Sequence, residues 1–163
     1  MPDRPIRLFG DPVLKTPSAA VGEIDDRVRA LVTDLVDSVV VPGRAGVAAP
    51  QIGVGLRVFS YNVDGRIGYL INPRVVEVDG EPEEVDEGCL SVPELWYPVV
   101  RYPFARAEGL DLDGNTVEVE GTGVLAQALQ HETDHLDGLL YLDRLTKERR
   151  REALRRIRES TWF

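Results

Sequence analysis

An α+β domain is the fold class this sequence predicts, and three observations carry it. An early segment repeats apolar residues at helical spacing. The middle of the chain is a series of short runs rich in β-branched and aromatic residues, separated by turn signals. Two further helical segments follow. The runs lie too close together for parallel crossovers, so the sheets are expected to be largely antiparallel.

The elements follow in chain order. Asp25–Val40 places Val28, Leu31, Val32, Leu35, Val36 and Val39 on one stripe of a helix. Asp25 supplies a capping carboxylate, Ile24 a hydrophobic staple, and Pro42-Gly43 a stop. Gly43–Gly53 is rich in small residues and reads as a tightly packed turn. Strands are expected at Leu56–Tyr61, Gly68–Ile71, Arg74–Val78 and Thr116–Glu120, with Arg106–Leu112 forming a hairpin with the last of these. The turn signals are Asn62-Val63-Asp64-Gly65, Asp79-Gly80 and Asp113-Gly114-Asn115. A second helix runs from about Thr122 to Leu136 and ends at Asp137-Gly138. A third, Thr146–Ser160, has only Ala153, Leu154 and Ile157 as an apolar line, so it should pack at the edge.

With 163 residues the chain is expected to be one domain spanning 1–163, large enough to bury a core without disulfides. The single cysteine excludes an internal disulfide. The N-terminus lacks the apolar region of a signal peptide and no run approaches a membrane span, so a soluble, cytoplasmic protein with no membrane partner is expected. The net charge of −9 is unevenly distributed. Residues 146–163 hold seven of the 19 basic and three of the 28 acidic side chains, about +4, and leave the remainder near −13. A basic terminal helix on an acidic body points to a polyanionic partner, although most charge runs are merely solvated faces.

The only two histidines lie in His131-Glu132-Thr133-Asp134-His135. Four residues apart on a helix, both imidazoles share one face and suit one metal ion, while Glu132 is placed to act as a general base. Two histidines leave a catalytic metal one ligand short. Of a downstream His or Glu, only Glu148, Glu152 and Glu159 are available, all in the basic helix; upstream stands Cys89, in Glu87-Gly88-Cys89-Leu90-Ser91 among loop-forming residues. The spacing leaves Cys and Glu both open. Gln51, after the small-residue segment, offers amide donors to an oxyanion. Asp134 is placed either to orient a histidine or to cap a loop. Val124 and Ala128 lie on the histidine side of the helix and are candidates for an apolar pocket.

Taken together, Arg44-Ala45-Gly46-Val47-Ala48-Ala49-Pro50-Gln51, Glu87-Gly88-Cys89-Leu90-Ser91 and His131-Glu132-Thr133-Asp134-His135 resemble the ordered motifs of the peptide deformylases, Gly-x-Gly-x-Ala-Ala-x-Gln, Glu-Gly-Cys-Leu-Ser and His-Glu-x-Asp-His. The opening Ile6–Leu14 is similar as well. One departure is Arg44, which stands at the first glycine of the first motif and is expected at the rim of the substrate cleft.

The resemblance implies a central motif-bearing helix surrounded by short antiparallel sheets, and hydrolysis of the N-formyl group from the formyl-methionine of new polypeptides. It implies Cys89, His131 and His135 as ligands of one divalent ion, usually Fe(II), with Zn(II), Ni(II) or Co(II) able to occupy the site. It implies Glu132 as the proton-transfer group, and Gln51 and the Leu90 backbone N–H as oxyanion donors. Gly46, Val47 and Gly88 would position the peptide. The nascent formyl-peptide is then the substrate partner, the chain is expected to be a monomer, and the basic C-terminal helix could touch ribosomal RNA. A zinc endopeptidase with the same helix motif, or an inactive peptide-binding relative, are the competing readings.

Overall fold

The structure, a computed structural model, describes residues 4–163. Among the described residues the elements run α1 (Asp26–Val39), β1 (Gly46–Ala48), β2 (Val58–Val63), β3 (Arg66–Asp79), β4 (Glu83–Cys89), β5 (Val92–Arg101), β6 (Phe104–Leu110), β7 (Thr116–Thr122), α2 (Gly123–Leu136) and α3 (Lys147–Arg158). Short 3-10 turns occupy Pro12–Lys15, Ala49–Ile52 and Tyr141–Arg144.

β1, β2, β3, β6 and β7 form an antiparallel sheet in that order, and β4 pairs with β5 in a separate two-stranded sheet. Period-2 alternation along β2 and β3 lets one sheet serve two helices. Val58 and Ile71, paired in register, pack with the apolar stripe of α1. Their neighbours Phe59 and Leu70 pack on the opposite face with Leu125, Leu129 and Leu136 of α2. A third cluster fills the space between the two-stranded sheet, the Tyr141–Arg144 turn and α3, and includes Leu14, Val92, Tyr97, Val99, Tyr141 and Ile157. α2 therefore presses its apolar side on the large sheet and offers Gln127, His131, Asp134 and His135 to the small one.

The three helices lie where the apolar periodicity puts them. Asp25 Oδ1 accepts from the Val28 N–H at 3.1 Å and Thr146 Oγ1 from the Arg149 N–H at 3.2 Å, both as helix caps. Gly138, after α2, has φ of 78°, and a Cβ there would sit 2.9 Å from Lys15 O. The β6–β7 hairpin pairs Leu110 with Thr116 as the turn signal predicts.

Four differences concern the strands. The small-residue segment, expected as a turn, includes strand β1, which pairs Gly46–Ala48 with Phe59–Tyr61. Leu56–Tyr61 starts later and runs on, as Val58–Val63. The two runs on either side of Asn72 are one strand, β3, interrupted by a bulge. There Asn72 takes φ of 50° and its side chain closes a two-way hydrogen-bonded pair with the Val21 backbone. Finally, β4 and β5 replace the loop expected around Cys89, which ends β4 opposite Val92.

Candidate active site

α2 brings His131 and His135 to one face, and the β4–β5 turn delivers Cys89 against them. His135 Nε2 lies 3.1 Å from His131 Nε2 and 3.4 Å from Cys89 Sγ. The three ligand atoms all fall within 4.8 Å of one another. A tetrahedral ion bonded at about 2.0–2.1 Å to nitrogen and about 2.3 Å to sulfur sets its ligand atoms roughly 3.3–3.6 Å apart. The donor set therefore fits a divalent metal in chemistry, and the two contacts of His135 approach that spacing; Cys89 stands where it could serve as the third donor.

His131 is oriented from behind. Its Nδ1 donates to Glu87 Oε2 at 2.7 Å, which leaves Nε2 to face Cys89 and His135. Glu87 is itself held by Arg101, whose Nε and Nη2 donate at 2.9 and 2.6 Å in a two-pronged bond. Burial opposes the Glu87 carboxylate, but the bonds from Arg101 and His131 hold its pKa down to about 2.

Glu132 is 3% exposed and its Oε2 lies 3.8 Å from His131 Nε2. Its Oε1 is buried without a protein partner. Burial raises its pKa to about 7 against the pull of the His131 charge. The histidines are pushed apart. Burial disfavours charge on both, but Glu132, Cys89 and Glu87 outweigh it at His131, whose pKa lies well above the ordinary value. At His135 burial and the His131 charge act together and hold the pKa well below it.

Gln51 belongs to the same cluster. Its Oε1 accepts from the Ala48 N–H at 3.0 Å, which turns its Nε2 toward Ser91 Oγ at 3.2 Å and Cys89 Sγ at 3.7 Å. In front of these groups opens a cleft of about 520 Å³, lined by Gly46, Gly88, Leu90, Val124 and Ala128 among others. Arg44 lies at its rim, and its Nη1 donates to Ser38 O at 2.9 Å. Close approach favours glycine at 46 and 88, more strictly at 46, where the neighbour is buried. A Cβ on Gly46 would lie 2.7 Å from Glu132, and one on Gly88 would lie 2.8 Å from the Trp96 ring.

The sequence-predicted residues are thus gathered at one place, with two exceptions. Val47 turns its side chain into the α1 core and does not line the cleft. Asp134 meets neither histidine directly; it accepts from Arg101 and Arg144. The sequence reading missed Arg101, which is 3% exposed. Its signal was an arginine at the end of the apolar run Pro98-Val99-Val100. It also missed Trp96, two-thirds exposed beside the cleft.

Residues 3–151 match the family model described as "Polypeptide deformylase". The peptide deformylase of Acidothermus cellulolyticus is 51% identical over 159 residues, covering 98% of this chain and 88% of that protein. That of Parafrankia sp. is 48% identical over 160 residues, covering 98% and 87%. In three dimensions the chain is similar to the crystal structure of a peptide deformylase from Legionella pneumophila, with a TM-score of 0.89, 35% identity and coverage of 96% and 94%. It is also similar to one from Synechococcus elongatus in complex with actinonin, with a TM-score of 0.88, 30% identity and coverage of 99% and 90%.

Proposed function

This chain belongs to the polypeptide deformylase family, and from that premise we propose which of its residues carry out the reaction. The reaction is hydrolysis of the N-formyl group from nascent peptides, with release of formate. The observation that supports the assignment is the convergence of Cys89 Sγ, His131 Nε2 and His135 Nε2 beside the buried carboxylate of Glu132.

Cys89, His131 and His135 hold one divalent ion, which we assign as Fe(II). Zn(II), Ni(II) and Co(II) suit the same thiolate and two imidazoles. When bound, the ion supplies Lewis acidity that polarises the formyl carbonyl and makes a water more acidic. Glu132 accepts a proton from the water as its oxygen attacks the formyl carbon. Gln51 Nε2 and the Leu90 backbone N–H donate to the oxygen on which negative charge develops. Glu132 then returns the proton to the departing nitrogen as the C–N bond breaks, which leaves a free amine and formic acid; the acid gives up the second water proton to solvent and departs as formate.

The backbones of Gly46 and Gly88 bind the peptide as an added strand, a mode in which main-chain bonds supply affinity. Val47, with its side chain buried, contributes through its backbone alone. Val124 and Ala128 receive the methionine side chain. We assign the enzyme to the cytoplasm, where nascent formyl-peptides are made, and as a monomer.

α3 contributes a second surface. Lys147, Arg151, Arg155 and Arg158 are exposed and spaced i, i+4, i+8 and i+11, one stripe opposite the buried Ala153 and Ile157. We assign this stripe to sequence-independent phosphate contacts with ribosomal RNA, near the emerging substrate. Deleting residues 146–163 should weaken salt-dependent ribosome binding.

The deciding experiment uses protein purified without oxygen and assays formate release from formyl-Met-Ala-Ser and metal content on one sample. One ion per chain with formate release supports the assignment. A bound ion without formate release, across Fe, Ni, Co and Zn, refutes the deformylase reaction.

A further inference from the structure

We propose that Arg144 is a positioning residue for the metal ligand His131, acting through a chain of ion pairs that runs from the surface into the interior; its own side chain is 43% exposed. It lies at the end of the 3-10 turn Tyr141–Arg144, outside the cleft and just ahead of α3. Its Nε and Nη2 grip the two oxygens of Asp134 at 2.5 and 2.8 Å. Asp134 Oδ2 also accepts from Arg101 Nη1 at 2.9 Å. The other two donors of Arg101 hold Glu87, and Glu87 Oε2 holds His131 Nδ1 at 2.7 Å. The order of contact is Arg144, Asp134, Arg101, Glu87, His131.

The chain alternates in sign, with two guanidiniums against two carboxylates, and its middle is dry. The side chains of Arg101, Glu87 and Asp134 are 3%, 3% and 9% exposed. A buried carboxylate that loses one of two charged partners must draw harder on the other. Without Arg144, Asp134 keeps only Arg101. Arg101 is then pulled toward Asp134 and away from Glu87, and the grip that aims His131 Nε2 loosens. Arg144 thus prevents two carboxylates from competing for one arginine. Changes in the groups that orient ligand histidines typically cost about 10–100-fold in metal affinity.

The inference rests on the reading of His131 as a metal ligand, so its test reads metal binding rather than turnover. Protein loaded with Co(II) is mixed with a chelator, and loss of the cobalt–thiolate absorption gives the release rate. Arg144→Met is expected to release the ion about tenfold faster than the unaltered protein. Arg144→Lys, which keeps the charge but not the two-pronged geometry, is expected to fall between them; it also carries the test if the methionine variant does not fold. Arg57→Met is the control. Arg57 holds the same end of α2 through Leu136 O at 2.8 Å and Asp137 at 2.9 Å, but not through Asp134. It is expected to lower stability without changing release. Equal release from the Arg144 variants and the unaltered protein, or equal acceleration in Arg57→Met, overturns the positioning role alone. Failure of the unaltered protein to take up Co(II) overturns the ligand reading, and the positioning role with it.

Discussion

Gly46 and Glu132 compete for the same space: a Cβ on Gly46 would lie 2.7 Å from both Cγ and Oε2 of Glu132. The absence of a side chain in strand β1 is what lets the α2 carboxylate reach the cleft. Gly46→Ala should displace Glu132 while leaving Cys89, His131 and His135 in place. The expected result is a fall in kcat of at least about tenfold with one ion per chain retained. Metal analysis beside steady-state kinetics checks it, and loss of the ion together with kcat would contradict it.

Glu132→Gln removes the proton acceptor but keeps the size of the side chain. Formate release should drop by roughly 10²–10⁴ with unchanged metal content. Near-normal turnover would remove Glu132 from the reaction.

Cys89→Ala leaves two imidazoles, one donor fewer than a catalytic site uses. The purified variant should contain far less than one ion per chain and show no formate release. Unchanged metal content would point instead to a carboxylate as third donor.

Asp143 offers a test away from the cleft. Its Oδ2 accepts from Lys15 Nζ at 2.5 Å and from the Leu140 N–H at 2.9 Å, and Arg150 lies 3.4 Å from Oδ1. Burial opposes its charge but is outweighed by the Lys15 and Leu140 bonds and by the two cations, so its pKa is lowered from 3.8. A depressed carboxyl stabilises the fold fully above the unfolded value, and that stability is lost as pH falls through the folded one. Asp143→Asn keeps an acceptor for Leu140 and loses the charge. It should lower Tm at pH 7 by up to about 3 °C. The gap to the unaltered protein should narrow below about pH 5. A gap constant with pH would show that charge plays no part.

The helices were legible because their information is local. The stripe from Val28 to Val39 repeats at helical spacing, and the four-residue interval between His131 and His135 fixes a shared face. The β4–β5 sheet was hidden because Glu83-Glu84-Val85-Asp86-Glu87-Gly88 has no apolar alternation to announce a strand. Its buried Glu87 is neutralised by Arg101, 14 residues away, and such a pairing leaves no trace in either segment alone. Asn72 misled for a related reason. Its interruption of a β run matches a turn, and only the distant backbone of Val21 makes it a bulge. Cys89 meets His135 through this same pairing, which folds its strand end back onto α2.

Cys89 belongs to one packing unit and the two histidines to another. The cysteine joins the cluster built on the two-stranded sheet and α3, while α2 is anchored in the cluster on the large sheet. A metal held by the ligand set proposed above would therefore be a cross-link as well as a reaction centre. It closes the chain between positions 89 and 131 much as a disulfide would, and it restricts the unfolded chain's freedom only while the donors share an ion. Loading the site, under the assignment proposed above, would then be part of assembling this protein: before the donors are joined, the two packing units are held together by ordinary packing and by ion pairs such as that of Arg101 with Asp134.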